Sequence, residues 1–200
     1  MKLPLSIIVL ILLIDQSIKI YIKTHYYLGE EYPVAGNWFI LHFTENNGMA
    51  FGMEFAGRFG KLALSVFRIG AVAGIAWYLY TLVKKKAPTG LLVSIALILA
   101  GAMGNILDSS FYGLLFTDSN YEIAHFLPKG GGYAGFLHGR VVDMFYFPLI
   151  EGHFPSWFPI WGTEEFIFFR PVFNFSDSSI SVGVFLILLF QRNFFSKASN

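Results

Sequence analysis

The sequence predicts an all-α integral membrane protein with four transmembrane helices, and three observations lead to this fold class. Hydrophobic residues make up 55% of the 200 residues and charged residues only 14%, whereas about a quarter of the residues in soluble domains are charged. Four apolar stretches are each long enough to cross roughly 30 Å of hydrocarbon. Two long segments rich in Gly, Pro and aromatic residues separate them. We expect one membrane-embedded domain over residues 1–200.

Polar or charged residues, or Gly and Pro, lie at or close to the ends of the four spans. We place them at residues 3–22, 62–83, 90–107 and 174–190. The first span begins like a secretory signal peptide, but no small-residue cleavage site follows its apolar run, so we interpret it as a retained span. The third span has no charged residue between 90 and 107.

The two outer segments, 24–60 and 109–172, are predicted to lie on one side of the membrane. Alternating residues near Trp38 predict short strands in the first. The second is long, irregular and aromatic. The basic residues nearest the span ends fall on the opposite side and place both termini in the cytoplasm. They are Lys2, Lys84, Lys85, Lys86, Arg192 and Lys197.

Composition excludes several classes of function. A net charge of +1 without a basic stripe gives no basis for nucleic-acid binding. Cysteine is absent, which excludes disulfides, thiolate metal sites and a cysteine nucleophile. The five histidines lack the H-x-x-x-H and H-E-x-x-H spacings of zinc sites. We therefore expect no metal and no cofactor.

Polar residues in or against the spans are the candidates for function, because a charge there is costly unless it is paired or used. Asp15 and Lys19 are spaced for an ion pair within one helix, but a substrate-orienting role is equally compatible. Asn174 and Asp177 suit a helix cap. Capping does not explain Asp108, because it follows the predicted end of the third span, where the helix dipole is negative.

Asp143 lies among apolar residues and has no cation at i±4. If it meets Asp177, the two carboxylates share a proton near neutral pH. One can then deprotonate a water while the other donates to the carbonyl oxygen of an amide. The sequence predicts this acid–base pair as a hypothesis, since it gives no distance.

Five short motifs, taken in chain order, resemble those of one peptidase family. They are DQSIK at 15–19, NNGMAF at 46–51, GAMGNILD at 101–108, VVD at 141–143 and FNFSDSSI at 173–180. Together they are similar to the motifs of the bacterial lipoprotein signal peptidases, also called signal peptidase II or prolipoprotein signal peptidase.

The resemblance implies a membrane aspartic endopeptidase that removes the signal peptide from diacylglyceryl-modified prolipoproteins by cutting just before the lipidated cysteine. It implies Asp143 and Asp177 as the catalytic pair. It also implies a bacterial inner-membrane enzyme with a small extracytoplasmic β-cradle and an active site at that face. Its partners would be the prolipoprotein and membrane lipid, and we expect a monomer. The other matched positions would bind substrate or stabilise the site: Asn46, Asn105, Asp108, Asn174, Asp15 and Lys19.

The chain departs from the family pattern in two ways. Ser109 stands where the family has an arginine, so the cation that balances Asp108 must come from elsewhere, and we hypothesise that it is Arg140. The separations of 35 residues from Asp108 to Asp143 and 34 from Asp143 to Asp177 are longer than expected. The added aromatic material predicts an extended second outer loop that forms a lid or a membrane-lying segment.

Two other functions remain as alternatives. A small proton-coupled transporter would carry acidic residues at mid-span and inverted repeats, whereas Asp143 and Asp177 fall at one membrane edge and no repeat is visible. A non-catalytic binding protein for lipidated chains is suggested only by Ser109 and the insertions, and both aspartates of the pair are retained.

Overall fold

Four long helices form the membrane part of the protein. The computed structural model describes residues 2–47, 57–153, 157, 165–168 and 171–195. The long helices are α1 (Lys2–His25), α2 (Gly57–Lys84), α3 (Thr89–Leu107) and α5 (Phe175–Phe195), and a short helix α4 (Gly113–Leu115) follows α3. In the described part of the chain, these four helices are long and apolar enough to cross a membrane. A helix pairs its own backbone N–H and C=O groups by hydrogen bonds, which is necessary because the hydrocarbon of the bilayer offers no hydrogen-bonding partners. The predicted fold class and its four spans are confirmed.

Helix α3 packs against each of the other three long helices, and small residues allow this close packing. Ala96 and Ala100 are fully buried. A Cβ atom on Gly101 would lie 2.2 Å from the carbonyl oxygen of Ser176, and one on Gly183 would lie 2.6 Å from that of Ser94. Only glycine therefore permits α3 and α5 to approach so closely, as small residues commonly do in membrane bundles.

The third helix ends at Leu107 as predicted, but the chain stays helical beyond it. A π-helical turn, Asp108–Tyr112, continues it into α4, so that one membrane-crossing element runs from Thr89 to Leu115. Asp108 therefore follows the last α-helical residue as predicted, but it does not lie at the end of the membrane-crossing element. No Gly or Pro stops the chain after Leu107, and Ser109 bonds back to the carbonyl oxygen of Asn105 at 3.0 Å.

A small antiparallel sheet lies at one end of the bundle. Its strands are β1 (Glu31–Ala35), β2 (Phe39–Asn46) and β3 (Val141–Tyr146), in the order β1-β2-β3. The strands predicted within 24–60 are confirmed by β1 and β2, but the sequence did not predict β3. Residues 141–144 are all buried, so β3 lacks the alternation of exposed and buried residues that reveals a strand. A separate hairpin pairs β4 (Ile150–His153) with β5 (Glu165–Phe168).

Strand β3 also contacts the start of α5. The backbone N–H groups of Met144 and Phe145 donate to the carbonyl oxygen of Phe173, at 3.2 and 2.8 Å, and Phe173 N–H donates back to Phe145 at 3.0 Å. Phe173 lies two residues before α5. The pairing therefore brings Asp143 and the first turn of α5 to the same end of the bundle.

Several sequence predictions fall outside the described residues. They concern residues 48–51 of the NNGMAF motif, the basic residue Lys197, and most of the Pro- and Trp-rich stretch 154–161, which belongs to the material predicted to form a lid or a membrane-lying segment.

Candidate active site

Asp143 lies in the middle of β3 and is 4% exposed. Strand register places it opposite Thr44 on β2. One carboxylate oxygen accepts a 2.6 Å hydrogen bond from Asn174 Nδ2, and the other accepts one from Asn46 Nδ2. Burial raises the pKa of Asp143 to about 7, and the neighbouring carboxylate of Asp177 adds to the increase. Asp143 can therefore hold a proton at neutral pH.

Asp177 lies in the first turn of α5, where it both caps the helix and joins the site. Its N–H donates to Asn174 Oδ1 at 2.9 Å, and its Oδ2 accepts from the Asn174 N–H at 3.3 Å. This reciprocal pair is a capping box. The Oδ1 atom of Asp177 accepts a 2.8 Å bond from Asn105 Nδ2. The capping interpretation is thus confirmed, and the same residue still presents a carboxylate beside Asp143.

Asn174 links the two aspartates. Its side-chain oxygen accepts a hydrogen bond from the N–H of Asp177. Its side-chain nitrogen donates hydrogen bonds to Asp143 and, at 3.1 Å, to Asn105 Oδ1. Asn174 is completely buried. Because three hydrogen bonds hold its side-chain amide, the relative position of Asp143 and Asp177 is fixed by hydrogen bonds and not by packing alone.

A buried ionic cluster lies directly behind Asn105. Lys19 Nζ contacts Asn105 Oδ1 at 3.0 Å, Asp15 at 3.1 Å and Asp108 at 2.8 Å. The three charged side chains are fully buried. The ion pair predicted between Asp15 and Lys19 is confirmed, and the contact with Asn105 connects it to the aspartate pair. Asp15 also accepts a 2.9 Å hydrogen bond from the N–H of Ser176, and this bond joins α1 to α5.

Asp108 is balanced by Lys19, so the hypothesis that Arg140 provides its cation was wrong. Gln16 Nε2 at 2.9 Å and Val142 N–H at 3.3 Å complete the partners of the Asp108 carboxylate. These contacts place Asp108 under β3, one strand residue away from Asp143. Lys19 lies on α1, and the packing of α1 against α3 brings its ammonium group to Asp108.

Arg140 instead belongs to a second ionic cluster, which it forms with Glu45 on β2 and with Asp118. Its guanidinium contacts both carboxylate oxygens of Asp118, at 3.0 and 3.1 Å, and Glu45 at 3.1 Å. Burial alone would raise the pKa of Asp118, but the hydrogen bonds from Arg140 hold it below its usual range. Lys23 and Ser119 also bond Glu45, whose side chain is 1% exposed. This cluster fastens residues 118–119 to α1 and β2.

Sequence reasoning missed four members of these clusters: Gln16, Lys23, Glu45 and Asp118. Lys23 had a signal, because Asp15, Lys19 and Lys23 recur every four residues and so share one helix face. All three are completely buried. A further cation, Arg68 on α2, is half-buried and its charge interacts with Asp177. The sequence showed Arg68 only as an interruption of the second span.

The arrangement is suited to acid–base chemistry. A carboxyl group with a pKa near 7 beside a second carboxylate can share one proton with it at neutral pH. Such a pair can activate a water and polarise a carbonyl oxygen without a metal. Within the described ranges, no group of three or more His, Asp or Glu side chains is arranged to hold a metal ion.

Comparison with known proteins gives concordant results. A family model described as Signal peptidase (SPase) II matches residues 7–192. A lipoprotein signal peptidase of Porphyromonas gingivalis is 54% identical over 189 residues, which cover 94% of this chain and 82% of the relative. A lipoprotein signal peptidase of Amoebophilus asiaticus is 38% identical over 190 residues, which cover 94% of this chain and 76% of the relative.

Two solved structures share the fold. A bacterial membrane enzyme solved by the in meso method at 1.9 Å has a TM-score of 0.61 at 23% identity and covers 94% of this chain and 92% of its own. Another, solved at 2.3 Å, has a TM-score of 0.60 at 21% identity and covers 100% and 94%. The structural likeness concerns the fold alone. The family model extends over almost the whole sequence, and from this match we conclude that the chain belongs to the signal peptidase II family.

Proposed function

We propose that this protein removes the signal peptide from prolipoproteins whose cysteine already carries diacylglycerol, and that it cuts just before that cysteine. The relatives at 54% and 38% identity are named lipoprotein signal peptidases, which supports the substrate class. The observation that carries the chemistry is the joint binding of Asp143 and Asp177 by Asn174, together with a pKa of about 7 for Asp143.

In this mechanism Asp143 is the protonated member of the pair and Asp177 the ionised one. Burial disfavours a charge on Asp143. Asp177 lies in the first turn of α5 and accepts bonds from Asn105 and from the Asn174 N–H. Both the positive end of a helix dipole and hydrogen-bond donors stabilise a carboxylate.

The reaction then follows in two steps. Asp177 takes a proton from a water, whose oxygen attacks the carbonyl carbon of the scissile amide, while Asp143 gives its proton to the carbonyl oxygen. In the second step the carbon–nitrogen bond breaks. The leaving nitrogen takes the proton held by Asp177, and Asp143 recovers its own proton as the carbonyl forms again. No covalent intermediate is required.

The surrounding residues hold this pair. Asn46, Asn105 and Asn174 donate to the two carboxylates. Asp15, Lys19 and Asp108 support Asn105 from within the bundle, and Arg140 anchors the chain that leads into β3. We assign the three asparagines to positioning the pair and the substrate backbone, and the charged residues to supporting them.

We place the site at the extracytoplasmic face of a bacterial inner membrane, with both termini in the cytoplasm. Helix α2 begins after β2 and ends at Lys84, and Lys85 and Lys86 follow in the turn to α3, so these lysines lie at the end of α2 away from the sheet. Basic residues next to spans favour the cytoplasmic side. The sheet and the aspartate pair are therefore assigned to the outer side. We assign a monomer, since one chain supplies all the residues named in the mechanism.

The test is cleavage of a diacylglyceryl-modified prolipoprotein by purified wild-type protein, Asp143→Asn and Asp177→Asn. Glu122→Gln is the control, because it makes the same kind of acid-to-amide change at an exposed carboxyl group outside the pair and outside both ionic clusters. We expect cleavage before the lipidated cysteine, read by product mass, and a loss of several orders of magnitude in kcat for the two pair variants only.

Normal cleavage by a folded Asp143→Asn or Asp177→Asn protein would refute the pair. Wild-type protein that binds the substrate without cutting it would favour the binding-protein alternative. An unlipidated prolipoprotein cut at the same rate would refute the proposed requirement for diacylglycerol.

A further inference from the structure

The outer end of the third membrane-crossing element (Thr89–Leu115) carries apolar side chains that the rest of the described chain covers only in part. The membrane-crossing element reaches Leu115. On its last turns Phe111 is 43% exposed and Leu114 is 45% exposed. In a transmembrane element such side chains face lipid.

Three more exposed apolar residues lie against this end of the helix, although they come from a later part of the chain. The ring of Phe136 packs edge-on against Phe111, with 5.7 Å between centroids. Leu127 N–H donates to the carbonyl oxygen of Leu115 at 2.7 Å. Phe126 forms a β-bridge with Phe116, directly after Leu115. About half or more of Phe126, Leu127 and Phe136 is exposed.

We propose that these five residues form an aromatic lip (Phe111, Leu114, Phe126, Leu127 and Phe136) that inserts into the lipid leaflet on the side of the active site. Phe111 and Leu114 belong to the membrane-crossing element that ends at Leu115, so we place their exposed faces against lipid. The other three are held beside them by the hydrogen bond, the bridge and the ring contact. An apolar surface of this kind, next to a span, lies at the membrane interface.

The backbone supports insertion at Leu127. Its φ is +52°, a left-handed conformation that is unfavourable for a residue with a Cβ atom. Such a conformation persists only where the surroundings impose it. At this turn 63% of Leu127 is exposed, so its side chain points outward although its backbone N–H is bonded to Leu115. Contact with lipid would make that outward placement favourable.

Residues 118–122 of the same segment are largely polar, and we assign them to the water side of the lip. Asp118 binds Arg140, and Asn120 and Glu122 are exposed on either side of Tyr121. Tyr121 is 95% exposed. One apolar edge and one charged edge are what a segment needs to lie in the plane of the interface, with its charges in water.

Insertion of the lip would also set the height of the site above the membrane. The segment between Leu115 and β3 ends at Arg140, three residues before Asp143. The cluster of Arg140, Asp118 and Glu45 joins it to β2, whose last residue, Asn46, donates to Asp143. The depth of the lip and the position of Asp143 are therefore connected through bonded residues.

The absence of cysteine from the chain permits a direct test by spin labelling. Single-cysteine proteins Leu127→Cys, Phe136→Cys and Tyr121→Cys are labelled and reconstituted in phospholipid nanodiscs. Val184→Cys, at an exposed position of α5, serves as the lipid reference. Collision rates with oxygen, which concentrates in lipid, and with a water-soluble nickel chelate are measured by electron paramagnetic resonance.

We expect the labels at 127 and 136 to collide preferentially with oxygen, as at 184, and the label at 121 to collide preferentially with the nickel chelate. Equal nickel accessibility at 121, 127 and 136 would overturn the proposal, because the lip would then lie in water. Protection from both reagents at 127 and 136 would also overturn it, since it would mean that protein covers the lip. Two labelled positions in the lip keep the result decisive if one variant does not fold.

Discussion

Asp143 is expected to make the fold less stable as the pH rises, which is a cost of its proposed role. Its pKa in the folded protein is about 7, raised from an ordinary value of 3.8. Between these two values the folded protein binds a proton that the unfolded chain has released. The contribution of Asp143 to stability is therefore complete at low pH and is lost as the pH rises through 7. The variant Asp143→Asn removes this titration.

The size of the effect follows from the shift. Complete loss of the contribution corresponds to about 4 kcal/mol. Part of it is already lost at pH 5, so the wild type should lose about 2.5 kcal/mol between pH 5 and pH 8 because of Asp143 alone. In a chain of this size that equals a fall in Tm of roughly 5–10 °C. Asp143→Asn should lack this part of the pH dependence, whatever its Tm at a single pH.

The assay is thermal unfolding in detergent, followed by tryptophan fluorescence at pH 5 and pH 8. The quantity compared is the change in Tm between the two pH values. Asp118→Asn is the control. Arg140 holds the pKa of Asp118 below its usual range, so the Asp118 contribution is lost only at pH values below this interval, and its variant should follow the wild type. Equal pH dependence of the wild type and Asp143→Asn would refute the argument.

Two further predictions concern buried polar groups near the site. Lys19→Met should lower the free energy of unfolding by about 3–5 kcal/mol, because it leaves Asp15 and Asp108 buried without their cation. Chemical unfolding measures the loss. A second change, Asp108→Asn, should recover part of it, and an unaltered stability of Lys19→Met would contradict the ionic cluster. Ser176→Ala should raise the free energy of unfolding by about 1 kcal/mol, since among the described residues the Ser176 hydroxyl is buried without a hydrogen-bond partner; a lower Tm for this variant would disprove it.

The fold class was predictable from the sequence because lipid imposes a simple rule. A span must be apolar, long and helical, so each of the four helices could be located from composition alone. Their ends agree with the prediction to within a few residues, except where α3 continues through Asp108–Tyr112. The cap formed by Asn174 and Asp177 was also predictable, because its two partners lie three residues apart.

Long-range contacts could not be predicted in the same way. Strand β3 pairs with β2 across about a hundred residues of chain, and it is buried on both faces, so neither spacing nor alternation indicated it. Local pairing with Asp15 located Lys19, but not its contact with Asp108, which depends on how α1 packs against α3. Arg140 is only three residues from Asp143 in sequence, yet its guanidinium contacts Glu45 and Asp118.

The sequence by itself determined which residues enter the membrane and which aspartates are unusual there. Only the tertiary structure decided which groups they meet, because charges are paired by helix packing and strand register, not by proximity along the chain.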